Sequence, residues 1–204
     1  MKDSSKKRNP LLKDQVSYLS RSKRDLIGLI MPEAGNENAA LVLQAAEICL
    51  AQFALRAERV SLADDLAPDA AREFVNAALE RGVRALIVAS ADGHLPGALA
   101  SAANDVAASL PIIRVPVENG ERRGTELLQP LLDVASAQGS FATMAIGETG
   151  AKNAALLVVA IIAATGDRQM HAAWDNFRTR QTMAVLRMTL PRVGPSDLSP
   201  VIRR

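Results

Sequence analysis

Five short apolar runs, each followed by a stretch with helical periodicity, recur between residues 25 and 164, and this alternation confines the chain to folds built on parallel strands. Asp25 to Met31 is mostly apolar and ends at Pro32, as a strand covered on both faces should. Asn36 to Gln52 follows, with Leu43, Ala46, Leu50 and Phe53 at spacings of three and four, one face of a helix. Arg59-Val60-Ser61 reads as the core of a second strand, and Pro68 opens a helix with Phe74 and Ala78 on one side. The third strand is Ala85 to Ala89 and its helix runs from Leu95 to Ser109. The fourth, Ile112 to Val115, lies between two prolines and precedes a helix near Thr125 to Ala135. The fifth, Ala142 to Ile146, is stopped by Gly147 and leads into the apolar helix Ala151 to Ala164.

Such β-then-α units joined by right-handed crossovers predict an α/β chain: a three-layer α/β/α sandwich, flavodoxin-like, with a parallel five-stranded sheet. Asp167 to Leu186 adds an extra C-terminal helix with Met170, Trp174, Phe177 and Ala184 near one face. The sandwich already has helices on both sides. The added stripe is therefore expected to be buried against another subunit, in a homo-oligomer.

The net charge of +2 conceals an uneven distribution. Residues 1–24 carry Lys2, Lys6, Lys7, Arg8, Lys13, Arg21, Lys23 and Arg24 against Asp3 and Asp14, and near the other end Arg187, Arg192, Arg203 and Arg204 stand against Asp197. The middle is acidic. Both ends lack apolar periodicity, which predicts basic disordered tails over 1–24 and 188–204 flanking one domain at 25–187. Solvated tails are the plain reading, and a basic arm for an acidic partner is the other. The single cysteine, Cys49, and the lack of a leader-like N-terminus point to a reducing cytoplasm. The longest apolar run, Ala154 to Ala164, is about half of what a bilayer-spanning helix needs, so no membrane partner is expected. At 3% aromatic residues, a stacking surface for single-stranded nucleic acid is also disfavoured.

In parallel sheets of this kind ligands sit beyond the carboxyl ends of the strands, where the strand order reverses. The relevant loops are Pro32 to Asn38, Ser61 to Ala67, Ser90 to Gly97, Pro116 to Gly124 and Gly147 to Asn153. Along them the chain resembles a known family. His94-Leu-Pro-Gly97, Leu110-Pro-Ile-Ile-Arg-Val-Pro-Val117, Ala145-Ile-Gly-Glu-Thr-Gly-Ala-Lys-Asn-Ala-Ala-Leu-Leu157 and Arg178-Thr-Arg-Gln-Thr-Met-Ala-Val-Leu186 together look like the PurE family, the AIR carboxylases and N5-carboxyaminoimidazole ribonucleotide mutases of purine synthesis. The likeness covers about residues 25 to 186. It implies a flavodoxin-like subunit, an octamer, and an active site at subunit boundaries that shifts a carboxylate on an aminoimidazole ribonucleotide.

The loops depart from that pattern where its chemistry resides. In place of the family's Gly-Ser-x-Ser-Asp turn stands Pro32-Glu-Ala-Gly-Asn-Glu-Asn38, in which proline has no amide hydrogen and Glu33 and Glu37 bring negative charge. In place of Ser-Ala-His-Arg-Thr-Pro stands Ser61-Leu-Ala-Asp-Asp-Leu-Ala-Pro68, without the proton-transfer histidine and the phosphate-binding arginine. The third loop, Ala89-Ser-Ala-Asp-Gly93, keeps one glycine and adds Asp92, and Asp133 to Gly139 replaces the family's Ser-Ile-Val-Gln-Met-Pro. Gly147, Gly150 and Asn153 keep the pattern. A phosphate dianion needs converging amide or cationic donors, and Glu33, Glu37, Asp64, Asp65 and Asp92 oppose it with no Lys or Arg in those three loops. Arg122 or Arg123 from a neighbouring subunit is the one compensation in view.

His94 is the candidate catalytic residue, since it stands where a central strand meets a helix and imidazole titrates near neutrality. The competing reading is a helix-start histidine that packs an interface. Ser61, Asp92, Gly93 and His94 form the predicted small-molecule site. His171 reads as surface or interface and Cys49 as a small core residue. No metal is expected; Asp64, Asp65 and Asp92 are the only oxygen set in sight, and loop carboxylates are more often solvated. No cofactor is implied.

The favoured reading is a catalytically degenerate or functionally altered homologue, an oligomeric scaffold or binding protein, because nothing in the second loop replaces the missing histidine. The alternative is an active mutase or carboxylase in de novo purine biosynthesis. A carboxylase for another nucleotide, such as the PurE-like domain of nickel pincer cofactor synthesis, fits Gln181 to Leu186 less well.

Overall fold

A computed structural model of the chain describes residues 26–33, 37–118 and 140–188. The expected helix at Thr125 to Ala135, the loop beyond Glu118 with Arg122 and Arg123, and both basic ends apart from Arg187 and Met188 lie outside the described residues.

The elements run β1 (Leu26–Pro32), α1 (Glu37–Ala51), β2 (Arg56–Leu62), α2 (Pro68–Glu80), β3 (Val83–Ser90), α3 (His94–Asp105), β4 (Ile112–Pro116), β5 (Ala142–Thr143), α4 (Gly147–Ala164) and α5 (Arg168–Leu186). The five strands form one parallel sheet in the order β2-β1-β3-β4-β5. This is the flavodoxin-like order, with the reversal between β1 and β3.

Side chains alternate across the sheet and sort into two cores. Ile27, Leu29, Ile87, Ala89, Ile113 and Val115 face α1 and α4, while Leu26, Ile30, Leu86, Val88 and Ile112 face α2 and α3. β1, β3 and β4 are apolar almost throughout because both of their faces are covered. β2 lies at the edge. Its Glu58 and Arg59 are engaged in ion pairs with Arg81 and Glu47, and charges of this kind discourage edge-to-edge pairing.

Two boundaries differ from the sequence-based expectation. β5 forms only two ladder residues, because the chain turns away after Met144 donates to the carbonyl of Arg114. α4 begins four residues earlier than Ala151, with Gly147 in the left-handed region at φ +74°. At Gly150 a Cβ would stand 1.7 Å from the Ala145 carbonyl oxygen, so only glycine lets the helix start against that strand exit. α4 is long and apolar enough to cross a bilayer by length and composition, yet Ala151, Ala154, Ala155, Val158, Val159 and Ile162 are packed in the core of the fold.

Part of the stripe on α5 finds a partner within its own chain, and Trp174 and Phe177 stay partly exposed there. Asp167 caps the helix by accepting from the backbone N–H groups of Gln169 and Met170 at 2.9 and 3.0 Å. Met170 is buried, and Trp174 and Phe177 pack against Phe53 at the end of α1. Beyond them the helix is uncovered in the single chain, with Met183, Val185 and Leu186 exposed.

Candidate functional site

The carboxyl end of β3 carries the most closely bonded turn among the described residues of the strand exits. Ser90 is buried, and its hydroxyl donates to the Asp92 carbonyl at 2.7 Å. Asp92 then folds back so that Oδ1 accepts from the His94 N–H at 3.0 Å, the first free amide of α3. Leu95, Pro96 and Gly97 are buried directly behind, whereas the His94 side chain is exposed. Gly93 sits between the two, at φ −95°. The three predicted residues of this loop are thus one structural unit with its imidazole presented to solvent.

Ser61 is exposed at the end of β2, opposite Met31 of β1 in the ladder. Strands β2 and β3 are not neighbours; β1 runs between them, since its crossovers go one way to β2 and the chain returns past it to β3. The exit of β1 is drawn to β2 by a hydrogen bond from the Glu33 N–H to the Leu62 carbonyl, 2.9 Å. No hydrogen bond joins Ser61 to His94 among the described residues.

What does converge is negative charge. The Asp64 carboxyl is pushed above its ordinary value, first by partial burial, then by the fields of Asp92 and Asp65. The carboxylates of the loops after β2 and β3 thus lie within each other's electrostatic range. Among the described residues no group of three or more His, Cys, Asp or Glu is arranged to hold a metal ion.

Sequence reasoning overlooked two features here. Arg114 lies inside the apolar fourth strand and is fully buried, and its guanidinium Nη2 donates to the Ala91 carbonyl at 3.0 Å. The one signal for it was an arginine in a run otherwise fit for a central strand. Asn38, in the first turn of α1, donates through Nδ2 to the Glu118 carbonyl at 3.1 Å, tying the exits of β1 and β4 across the site.

The remaining candidates lie elsewhere. His171 is exposed on α5 with Nε2 3.3 Å from Asp175. Cys49 is buried and its thiol pKa is raised by desolvation, as for a core residue. A cavity of about 130 Å³ opens between α2 and the amino ends of β1 and β3, lined by Leu26, Gly28, Phe74 and Val83 with Glu58 and Arg81 near it. It is at the end of the sheet away from His94.

With this geometry in hand, a family model described as AIR carboxylase matches residues 27–184. The N5-carboxyaminoimidazole ribonucleotide mutase of Vibrio parahaemolyticus is 32% identical over 162 residues, 78% of this chain and 94% of that protein. The protein of the same name from Pseudomonas aeruginosa is 37% identical over 127 residues, 61% of this chain and 73% of its own. That of Pyrococcus horikoshii is 31% identical over 144 residues, covering 70% and 75%.

Proposed function

The chain belongs to the AIR carboxylase family, and from that premise we propose that it is a functionally altered member whose strand-end site takes a neutral or cationic small molecule in place of a phosphorylated nucleotide. The seat of Asp92 carries this reading. A helix N-terminus attracts anions through its free amides and dipole. At α3 the chain's own carboxylate accepts from the His94 amide, and Asp64 and Asp65 add charge of the same sign alongside. A phosphate dianion entering there meets carboxylates and no basic residue from the β2 or β3 loops.

The second reading is an active mutase. It is favoured by His94, exposed at the start of α3, and by the names of the relatives. In that case the carboxylate leaves the exocyclic amino nitrogen and bonds to the ring carbon C4, while the His94 imidazole takes the proton that C4 loses and the amino nitrogen regains one.

The experiment is direct. Purified protein is incubated with N5-carboxyaminoimidazole ribonucleotide and the C4-carboxy isomer is followed. Under the first reading there is neither conversion nor a rise in melting temperature with the ribonucleotide. Turnover of about 1 per second or more establishes the second.

The same reading includes a cytoplasmic homo-oligomer, of the octameric kind that the resemblance implies, built on a domain at 25–187 with dispensable basic ends. Exposed Leu41 and Ile48 on α1 and Met183, Val185 and Leu186 on α5 support it, since they are large apolar groups left uncovered in one chain. Light scattering at micromolar concentration tests it, and a particle of 21.7 kDa alone would overturn it.

A further inference from the structure

Arg114 is the least expected residue in the sheet. Parallel strands with both faces covered are built from Val, Ile and Leu, and β4 follows that rule at Ile112, Ile113 and Val115. A guanidinium in this position is fully buried, and a buried charge is tolerated only when its donors are engaged. A conflict between local pattern and fold of this sort is a place to look for function.

Its engagement is specific. In the ladder Arg114 lies opposite Val88 of β3, so the side chain has to run toward the carboxyl end of the sheet to place Nη2 3.0 Å from the Ala91 carbonyl. Ala91 begins the turn that ends in His94. The next carbonyl, of Asp92, is taken by the Ser90 hydroxyl, and the Asp92 carboxylate takes the His94 amide. Of these three bonds only the one from Arg114 comes from another strand; the backbone adds the Val117 N–H donating to the Ser90 carbonyl at 3.3 Å, one residue before Ala91, so Arg114 is the side chain that carries the tie on into the turn itself. Arg114 makes other interactions as well, consistent with a fixed guanidinium.

We propose that Arg114 is a positioning residue: its buried guanidinium holds the Ala91 carbonyl and thereby sets where the Asp92 carboxylate and the His94 imidazole face the strand-end site. The proposal rests on that site being the functional one only for its significance; its test reads neither ligand binding nor turnover, so the two fail separately.

In the wild-type protein, NMR is expected to show a through-hydrogen-bond coupling between Arg114 Nη2 and the Ala91 carbonyl carbon. Arg114→Met keeps length and removes every donor, and Arg114→Lys restores one. In the methionine variant the His94 amide is expected to exchange about tenfold faster or more, while the amides of Leu29 and Ile87 in the sheet keep their protection. The His94 ring-proton shifts move in the same variant and return toward wild type in the lysine variant. Absence of the coupling, an unchanged His94 amide in Arg114→Met, or loss of protection spread evenly over the sheet each overturns the proposal. If the methionine variant does not fold, the wild-type coupling and the lysine variant decide it, a lysine variant with a His94 amide more than about tenfold faster and no coupling in the wild type counting against it.

Discussion

The carboxylate of Asp92 accepts a hydrogen bond from the backbone N–H of His94 at 3.0 Å, so the residue that begins α3 is fixed by the residue two before it. One side chain thus has two consequences: it satisfies the first amide of a helix from the residue before the Gly93 cap, and it puts a negative charge at the helix end most suited to an anion. The two separate by substitution. Asp92→Ala is expected to cost about 1 kcal/mol of stability, the net worth of one hydrogen bond, and Asp92→Ser, which keeps an accepting oxygen without the charge, less. Urea denaturation gives the stabilities. Inorganic phosphate is expected to raise the melting temperature of the serine variant and leave the wild type unmoved; equal response in both would remove the electrostatic argument for an altered ligand.

The second prediction concerns Asp64, whose carboxyl is held above its ordinary value by partial burial and by Asp92 and Asp65. A group that binds its proton more tightly in the folded state adds stability fully present below its unfolded pKa, and loses it as pH rises through the folded pKa. At neutral pH the ionised Asp64 is therefore a net liability. Asp64→Asn should be more stable than wild type at pH 7, and the gap should close below the ordinary aspartate value of 3.8. Denaturation midpoints at pH 7 and pH 3 check this, and a gap of the same size at both would show that charge is not the cause.

These carboxylates also mark how far the sequence could be read. β1, β3 and β4 were legible because burial on both faces writes a continuous apolar run. β2 was legible only at Arg59 to Ser61, since an edge strand that pairs Glu58 and Arg59 with charged neighbours carries no such run. The acids near His94 were visible as charges. That Asp92 turns onto the His94 amide, or that Arg114 reaches a carbonyl of the same loop, depends on the register of β3 against β4, which no spacing within either strand reveals. The intrachain cover of Trp174 was missed for a similar reason: Phe53 is far away along the chain and adjacent only once α4 packs on α1.

A third prediction separates two glycines three residues apart. Gly150→Ala places a methyl 1.7 Å from the Ala145 carbonyl oxygen, backbone that has no room to yield, and is expected to cost about 3 kcal/mol. Gly147→Ala meets nothing within 4 Å and bears only the strain of φ +74°, about 1 kcal/mol. Thermal unfolding of both variants tests the order; equal losses would mean that α4 can shift away from the β5 exit.

The last prediction concerns how α5 is attached. Trp174 and Phe177 stack with ring centroids 5.8 Å apart, and Phe53 stands 6.3 and 5.3 Å from them. Phe53 is buried and belongs to the first core, so the cluster joins an added helix to the sandwich within one chain. Truncating Trp174 to alanine removes a large but only partly buried ring, and the loss is expected near the lower end of the range for such changes, about 3 kcal/mol. Phe53→Ala should cost a similar amount. Because the rings touch, the double variant should lose less than the two single losses together, with a coupling of about 0.5 to 1.5 kcal/mol. If the cluster acts within the chain, these losses do not depend on protein concentration. Were Trp174 held instead mainly by a second subunit, its loss would shrink on dilution as the assembly of the wild type dissociates. Chemical denaturation of the four proteins at two concentrations a hundredfold apart decides between these, and a concentration-dependent Trp174→Ala effect with no coupling to Phe53 would show that Trp174 itself is held by a second subunit.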